Sequence, residues 1–107
     1  MEIKVLWTDF AKSAVRSIFD YYLEHVSRNL ARKLVVGIVS ETRQLQYQPT
    51  MGTLEPLLEK DPREFRCILY KSYKIIYWIN LDRKAIEIVD VFDARQNPIK
   101  IIKSTLK

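Results

Sequence analysis

The chain has 107 residues, 48% of them hydrophobic and 29% charged, and a formal net charge of +5. This length and balance indicate one small folded domain over residues 1–107 and exclude a disordered chain. Two glycines exclude a glycine-rich phosphate loop, and one histidine with one cysteine excludes a zinc site and an internal disulfide.

The apolar pattern and the charge also bear on location and partners. No stretch approaches the roughly 20 apolar residues of a membrane span, and the first residues turn polar too soon for a signal peptide. We therefore expect a cytoplasmic protein with no membrane association, metal or cofactor. The basic balance favours a polyanionic partner such as nucleic acid, or an acidic protein. Cys67 stands in an apolar run and is predicted to be a core residue.

The first half of the chain predicts one strand and two helices. Residues 3–7 are strand formers and predict the first strand. Thr8 is a typical helix cap, and apolar residues recur at helical spacing from there to about Val26, which predicts the first helix. Residues 27–29 predict a break. A second helix then begins at Leu30 and ends before Tyr47, since the approach to a proline disfavours helix.

The second half predicts a sheet and a final helix. Residues 49–62 contain three prolines and a glycine and predict a loop. Residues 64–71, 73–79 and 85–92 predict three strands. Asn97 followed by proline predicts a short C-terminal helix over residues 98–107. This order predicts an α+β fold, in which an N-terminal helical hairpin packs on one face of a mostly antiparallel four-stranded sheet.

Six short motifs occur in a characteristic order over nearly the whole chain. They are Val5-Leu6-Trp7-Thr8 leading into an Ala-rich helix, Pro49 with Gly52, Arg66, Tyr73-Lys74-Ile75-Ile76-Tyr77, residues 86–90, and Arg95-Gln96-Asn97-Pro98. Each motif alone is common. Together they resemble the RelE/ParE family of toxins from bacterial type II toxin–antitoxin systems.

The resemblance implies a toxin of the plasmid-stabilisation type that inhibits growth and is encoded beside its antitoxin. The antitoxin would neutralise it by laying a helix or an extended segment over the toxin. Two targets occur in the family. ParE-like members act on DNA gyrase, whereas RelE-like members cleave messenger RNA on the ribosome as metal-independent endoribonucleases.

The resemblance also implies candidate site residues for RNA cleavage. Lys74 stands where RNase members have an arginine that contacts the scissile phosphate. Glu55, in a Glu-Pro-Leu segment, stands where one RNase branch has its general base. Arg66 and Arg95 are two further cations for a phosphate or for another target, because the guanidinium group is always charged.

Structural roles remain open for three of these residues. The alternatives are a loop carboxylate for Glu55, an ion pair with Glu64 or Glu87 for Arg66, and an ion pair with Asp90 or Asp93 for Arg95.

The end of the last predicted strand departs from the RNase members, which commonly carry Tyr or His there. Phe92 has no proton to transfer, and Asp93 would repel phosphate. The sequence therefore favours a ParE-like toxin acting on DNA gyrase. A RelE-like endoribonuclease is the first alternative, and a small basic nucleic-acid-binding module without toxin activity is the second. The sequence leaves open the target, the identity of the antitoxin and the oligomeric state.

Overall fold

The computed structural model describes residues 3–95, and within them two α-helices and a five-stranded sheet. In chain order the elements are β1 (Lys4–Trp7), α1 (Asp9–His25), α2 (Arg28–Arg43), β2 (Thr53–Leu54), β3 (Arg66–Tyr70), β4 (Tyr73–Asn80) and β5 (Ala85–Asp93), with short 3₁₀ helices at Gln44–Gln46 and Pro56–Leu58. The predicted C-terminal helix, residues 98–107, lies outside the described residues.

Both helices begin at a capping hydroxyl. The Thr8 side chain accepts a hydrogen bond from the backbone N–H of Ala11 at 3.1 Å, as the sequence predicted. The Ser27 side chain accepts from the N–H of Leu30 at 3.1 Å. The predicted break was therefore wrong at its second and third residues. Because Ser27 caps the helix, Arg28 already belongs to α2.

The sheet is mixed, with strand order β1-β5-β4-β3-β2. β1 pairs parallel with β5, and the other three pairings are antiparallel. The α+β class is confirmed, but the prediction of four strands was wrong. The additional strand, β2, is only two residues long, too short to show the alternation by which a strand is recognised in a sequence.

The two faces of the sheet bury different side chains. The face covered by α1 and α2, which we term the helix face, carries the larger core. Its central members are Ala11, Leu34, Ile38, Ile68, Tyr73, Ile75, Tyr77, Ile86, Ile88 and Val91. The opposite face, termed the far face, buries a smaller group: Leu58, Phe65, Cys67, Ile76 and Phe92. Because successive strand residues point to opposite faces, the register of β4 fixes which face each neighbour occupies.

Candidate functional site

Glu55 and Lys74, two of the predicted site residues, are brought together on the far face. The Lys74 ammonium donates to both carboxylate oxygens of Glu55, at 2.9 and 3.2 Å. The Glu55 side chain is 1% exposed and that of Lys74 is 24% exposed. The same carboxylate accepts a hydrogen bond from the Leu57 N–H at 3.3 Å and so caps the short helix that follows. The Glu55 carboxylate is therefore closed to solvent and paired with a cation.

Cys67 lies beside this pair. It is 8% exposed, and its Sγ lies 3.8 Å from the Thr53 hydroxyl. Burial raises the pKa of the Cys67 thiol, and a hydrogen bond with Glu55 raises it further. A thiol that resists ionisation is a poor nucleophile, and the prediction of Cys67 as a core residue is confirmed.

Arg66 lies on the other face of the sheet and holds a loop. It pairs in register with Tyr77, a fully buried member of the helix-face core. The Arg66 guanidinium donates to the carbonyl oxygen of Gly52 at 2.8 Å. No ion pair joins Arg66 to either predicted partner among the described residues.

The Tyr77 hydroxyl fastens the same loop. It donates to the carbonyl oxygen of Pro49 at 2.7 Å and accepts from the Gly52 N–H at 3.0 Å. A Cβ on Gly52 would lie 2.7 Å from the carbonyl oxygen of Cys67, closer than real side chains approach. The glycine is therefore required by close packing of the loop on β3, and Arg66 is part of that anchoring.

Arg95 forms a forked ion pair with Asp93, one of its two predicted partners. Its Nε lies 2.9 Å from Oδ1 and its Nη2 lies 2.6 Å from Oδ2. The Arg95 side chain is 74% exposed. Hydrogen bonding from Arg95 lowers the pKa of the Asp93 carboxyl below its ordinary value.

The structure does not bring the three predicted cations onto one surface. Lys74 is opposite Phe92 and points to the far face, whereas Arg66 is opposite Tyr77 and points to the helix face. Asp93, which holds Arg95, is opposite Tyr73, four residues along β4 from Tyr77. At about 3.3 Å per strand residue, that separation is roughly 13 Å. A single phosphate cannot contact all three cations.

A second forked pair was missed by the sequence reasoning. Arg63 donates through Nε and Nη2 to the two carboxylate oxygens of Asp61, at 2.9 and 2.6 Å. These hydrogen bonds lower the pKa of Asp61 to about 2. The Arg63 guanidinium also lies over the Phe65 ring, 4.6 Å from its centroid. The sequence feature that predicts such a pair is the Asp-x-Arg spacing, which recurs at Asp93 and Arg95.

The two helices leave an open groove between them. Its apolar lining comes from Val15, Phe19, Leu23 and Val35, and charged groups of Lys12, Arg16 and Asp20 border it. Neither helix is long and apolar enough to cross a membrane. Within residues 3–95, no three His, Cys, Asp or Glu side chains are grouped so as to hold a metal ion.

The arrangement of helices and strands places the chain in a structural class. It is similar to a chain of the "chromosomal ParDE TA system from P. aeruginosa", with 22% identity and a TM-score of 0.70, over 85% of this chain and 95% of that one. It is also similar to a chain of the Mycobacterium tuberculosis RelBE2 toxin–antitoxin complex, with 13% identity and a TM-score of 0.64, over 87% and 99% of the two chains.

A third similar structure is a mutant of the E. coli toxin RelE in the free state. The identity is 13% and the TM-score 0.61, over 98% of this chain and 94% of that one. At these identities the likeness establishes the fold alone, which this chain shares with the three structures.

The family is shown by the sequence itself. A family model described as the ParE toxin of the type II toxin–antitoxin system, parDE, matches residues 5–98. The chain therefore belongs to the ParE toxin family, and the resemblance seen in the sequence motifs is confirmed. No curated protein matches the sequence closely.

Proposed function

We propose that this chain inhibits growth by acting on DNA gyrase rather than by cleaving messenger RNA. Family membership supports the toxin activity, and the buried ion pair between Glu55 and Lys74 carries the choice of target. RNA cleavage needs a free base for the 2′-hydroxyl and a free cation for the phosphate. Here the base and the cation neutralise each other, and the carboxylate is closed to solvent.

The residues at the end of β5 also support DNA gyrase over messenger RNA as the target. A general acid is typically worth about 10²–10⁴-fold in rate. Phe92 offers no proton, and the pKa of Asp93 is lowered by Arg95, so its carboxyl stays ionised at neutral pH. Arg95 itself does not release its proton in this range. The residues at this end of β5 therefore supply binding groups without a proton donor.

Two assays separate the gyrase role from the RNase role. The purified chain is expected to inhibit DNA supercoiling by gyrase, and primer extension after induction is expected to show intact messenger RNA. A variant carrying E55Q and K74M keeps the shape of the buried pair without its charges, and it should inhibit gyrase like the wild type. Codon-specific cleavage by the wild type that disappears in this variant would overturn the proposal.

Arg95 is the predicted target-binding residue best placed to reach a partner, because its side chain is 74% exposed. We propose that it contacts the target. The change Arg95→Ala should weaken gyrase inhibition, whereas Arg63→Ala removes an equivalent Asp-x-Arg pair elsewhere on the surface and should not. Equal effects of the two substitutions would show that Arg95 has no special role.

A cognate antitoxin is the second partner of the proposal. The open groove between the helices has an apolar lining suited to a partner segment: Val15, Phe19, Leu23 and Val35. The net charge of +5 suits an acidic binding segment that orders on contact. Co-expression with the adjacent gene should relieve growth inhibition and yield a complex on purification. A chain that purifies alone in high yield from non-toxic cells would contradict this.

A further inference from the structure

α2 is the most basic element that the structure describes. This helix carries four cations, Arg28, Arg32, Lys33 and Arg43, and one carboxylate, Glu41. Its net charge of +3 equals that of residues 98–107, which carry Lys100, Lys103 and Lys107 and lie outside the described residues. Elsewhere Arg16, Arg63, Lys74, Arg83 and Arg95 are held in ion pairs. Within residues 3–95, the four cations of α2 form none.

All four cations are exposed, and they share one side of the helix. At 3.6 residues per turn they fall within a sector of about 140°, opposite the side that buries Leu34 and Ile38 in the helix-face core. Glu41 lies about 160° around the helix from Arg43, so it does not neutralise this sector. From Arg28 to Arg43 the helix axis rises about 22 Å.

This geometry favours a rigid polyanion over a flexible one. The 22 Å length is about two-thirds of a turn of duplex DNA, whose phosphates form a regular array along both strands. Proteins that hold single strands add aromatic side chains on which the bases stack. The α2 sequence, Arg28–Arg43, contains no aromatic residue. A row of cations without aromatic neighbours on the same helix is suited to the phosphates of a duplex rather than to the bases of a single strand.

We propose that the outer face of α2, defined by Arg28, Arg32, Lys33 and Arg43, binds the phosphate backbone of duplex DNA without reading its sequence. The choice of DNA over RNA rests on the proposed function, since gyrase works on duplex DNA. The toxin then contacts the DNA through α2 and the protein through the region of Arg95.

Binding of a short labelled duplex, followed by fluorescence anisotropy at several salt concentrations, tests the proposal. Each phosphate neutralised contributes about −0.9 to the slope of log K against log salt, so four contacts predict a slope of about −3.6. The variant R28Q/R32Q/K33Q/R43Q should bind at least about tenfold more weakly at low salt and lose most of the slope. Gln is a good helix former, so the helix should persist, as circular dichroism will report.

The matched control removes four exposed lysines outside α2, as K4Q/K12Q/K60Q/K84Q. Both variants lower the net charge by four, from +5 to +1. The control should keep affinity within about threefold and most of the salt slope, because its lysines lie outside the face of α2. The milder R32Q/R43Q variant should lose about half of the slope.

Three results would overturn the proposal: a wild-type slope shallower than about −1, equal losses in the α2 variant and the control, or tighter binding of a duplex RNA of the same length. A supercoiling assay run in parallel keeps the two proposals apart. Wild-type DNA binding with the expected slope but no gyrase inhibition contradicts the gyrase role alone. Gyrase inhibition by a wild-type chain that does not bind DNA contradicts the inference alone.

Discussion

The Glu55 carboxylate lies in a Glu-Pro-Leu segment, but its surroundings differ from those that a general base needs. Its segment resembles that of an RNase base, yet Lys74 and the Leu57 N–H occupy its oxygens. A carboxylate buried in this way depends on its partners, because an unpaired charge inside the protein is costly. Its effect on the free energy of unfolding can be measured separately from any effect on activity.

Removing one partner of this pair should cost more than removing both charges together. Lys74→Ala leaves Glu55 buried without its cation, and we expect the free energy of unfolding to fall by about 2–4 kcal/mol. The E55Q/K74M variant should stay within about 1 kcal/mol of the wild type. Urea denaturation measures both values. Lys60→Ala, at an exposed lysine, is the control and should change little. Equal losses in Lys74→Ala and the double variant would contradict a structural ion pair.

The Asp61 carboxyl should titrate near pH 2, because Arg63 donates two hydrogen bonds to its ionised form. A folded-state pKa below the ordinary value of 3.8 means that the pair stabilises the fold above about pH 4. That contribution is lost as the pH falls through about 2. NMR titration should find the pKa of Asp61 returning toward 3.8 in Arg63→Ala. An unchanged pKa in this variant would show that Arg63 is not the cause.

At the scale of elements, α2 packs against β3 at Gly37. A Cβ at this position would overlap the ring of Tyr70 on β3. Alanine gains about 1 kcal/mol in helix propensity over glycine, whereas overpacking costs about 1–3 kcal/mol. We expect Gly37→Ala to lower the free energy of unfolding by about 1 kcal/mol.

The background Tyr70→Leu should reverse the sign of the Gly37→Ala effect, because the clash is removed and the propensity gain remains. Ser40→Ala, at an exposed position of the same helix, should be neutral or slightly stabilising. Chemical denaturation of these variants gives the comparison. A stabilising Gly37→Ala in the wild-type background would mean that Tyr70 moves aside at no cost.

Elements with a strong local signal were predicted well, and those fixed by distant contacts were not. Thr8 capped α1 as expected, and β4 begins at Tyr73 as predicted because its residues are apolar almost throughout. β2 was missed because two residues carry no periodicity. The contact of Glu55 with Lys74 joins a loop to a strand 19 residues later, and no local pattern reports such a pairing. The same holds for Arg66, whose partner is a backbone carbonyl rather than a side chain.

Across the whole molecule, the sheet is most strongly supported at β4 and β5. Each has a hydrogen-bonded neighbour on both sides, and both contribute to the helix-face core. Backbone amides of Ile75 and Ile88 should therefore exchange with solvent only on global unfolding, whereas those of β2, at the sheet edge, should exchange by local opening. Hydrogen exchange followed by NMR tests this order. Faster exchange in β4 than in β2 would contradict the observed strand order.

The parallel pairing of β1 with β5 also sets the timing of folding during synthesis. Val5 finds its partner only at Ile86, and Thr8 donates its backbone N–H to the carbonyl oxygen of Ile88. At about 5–20 residues per second, roughly 4–16 s pass between translation of the first strand and of its neighbour. During that interval the nascent chain cannot complete its sheet. A toxin with this topology completes its sheet only after most of its chain has been synthesised.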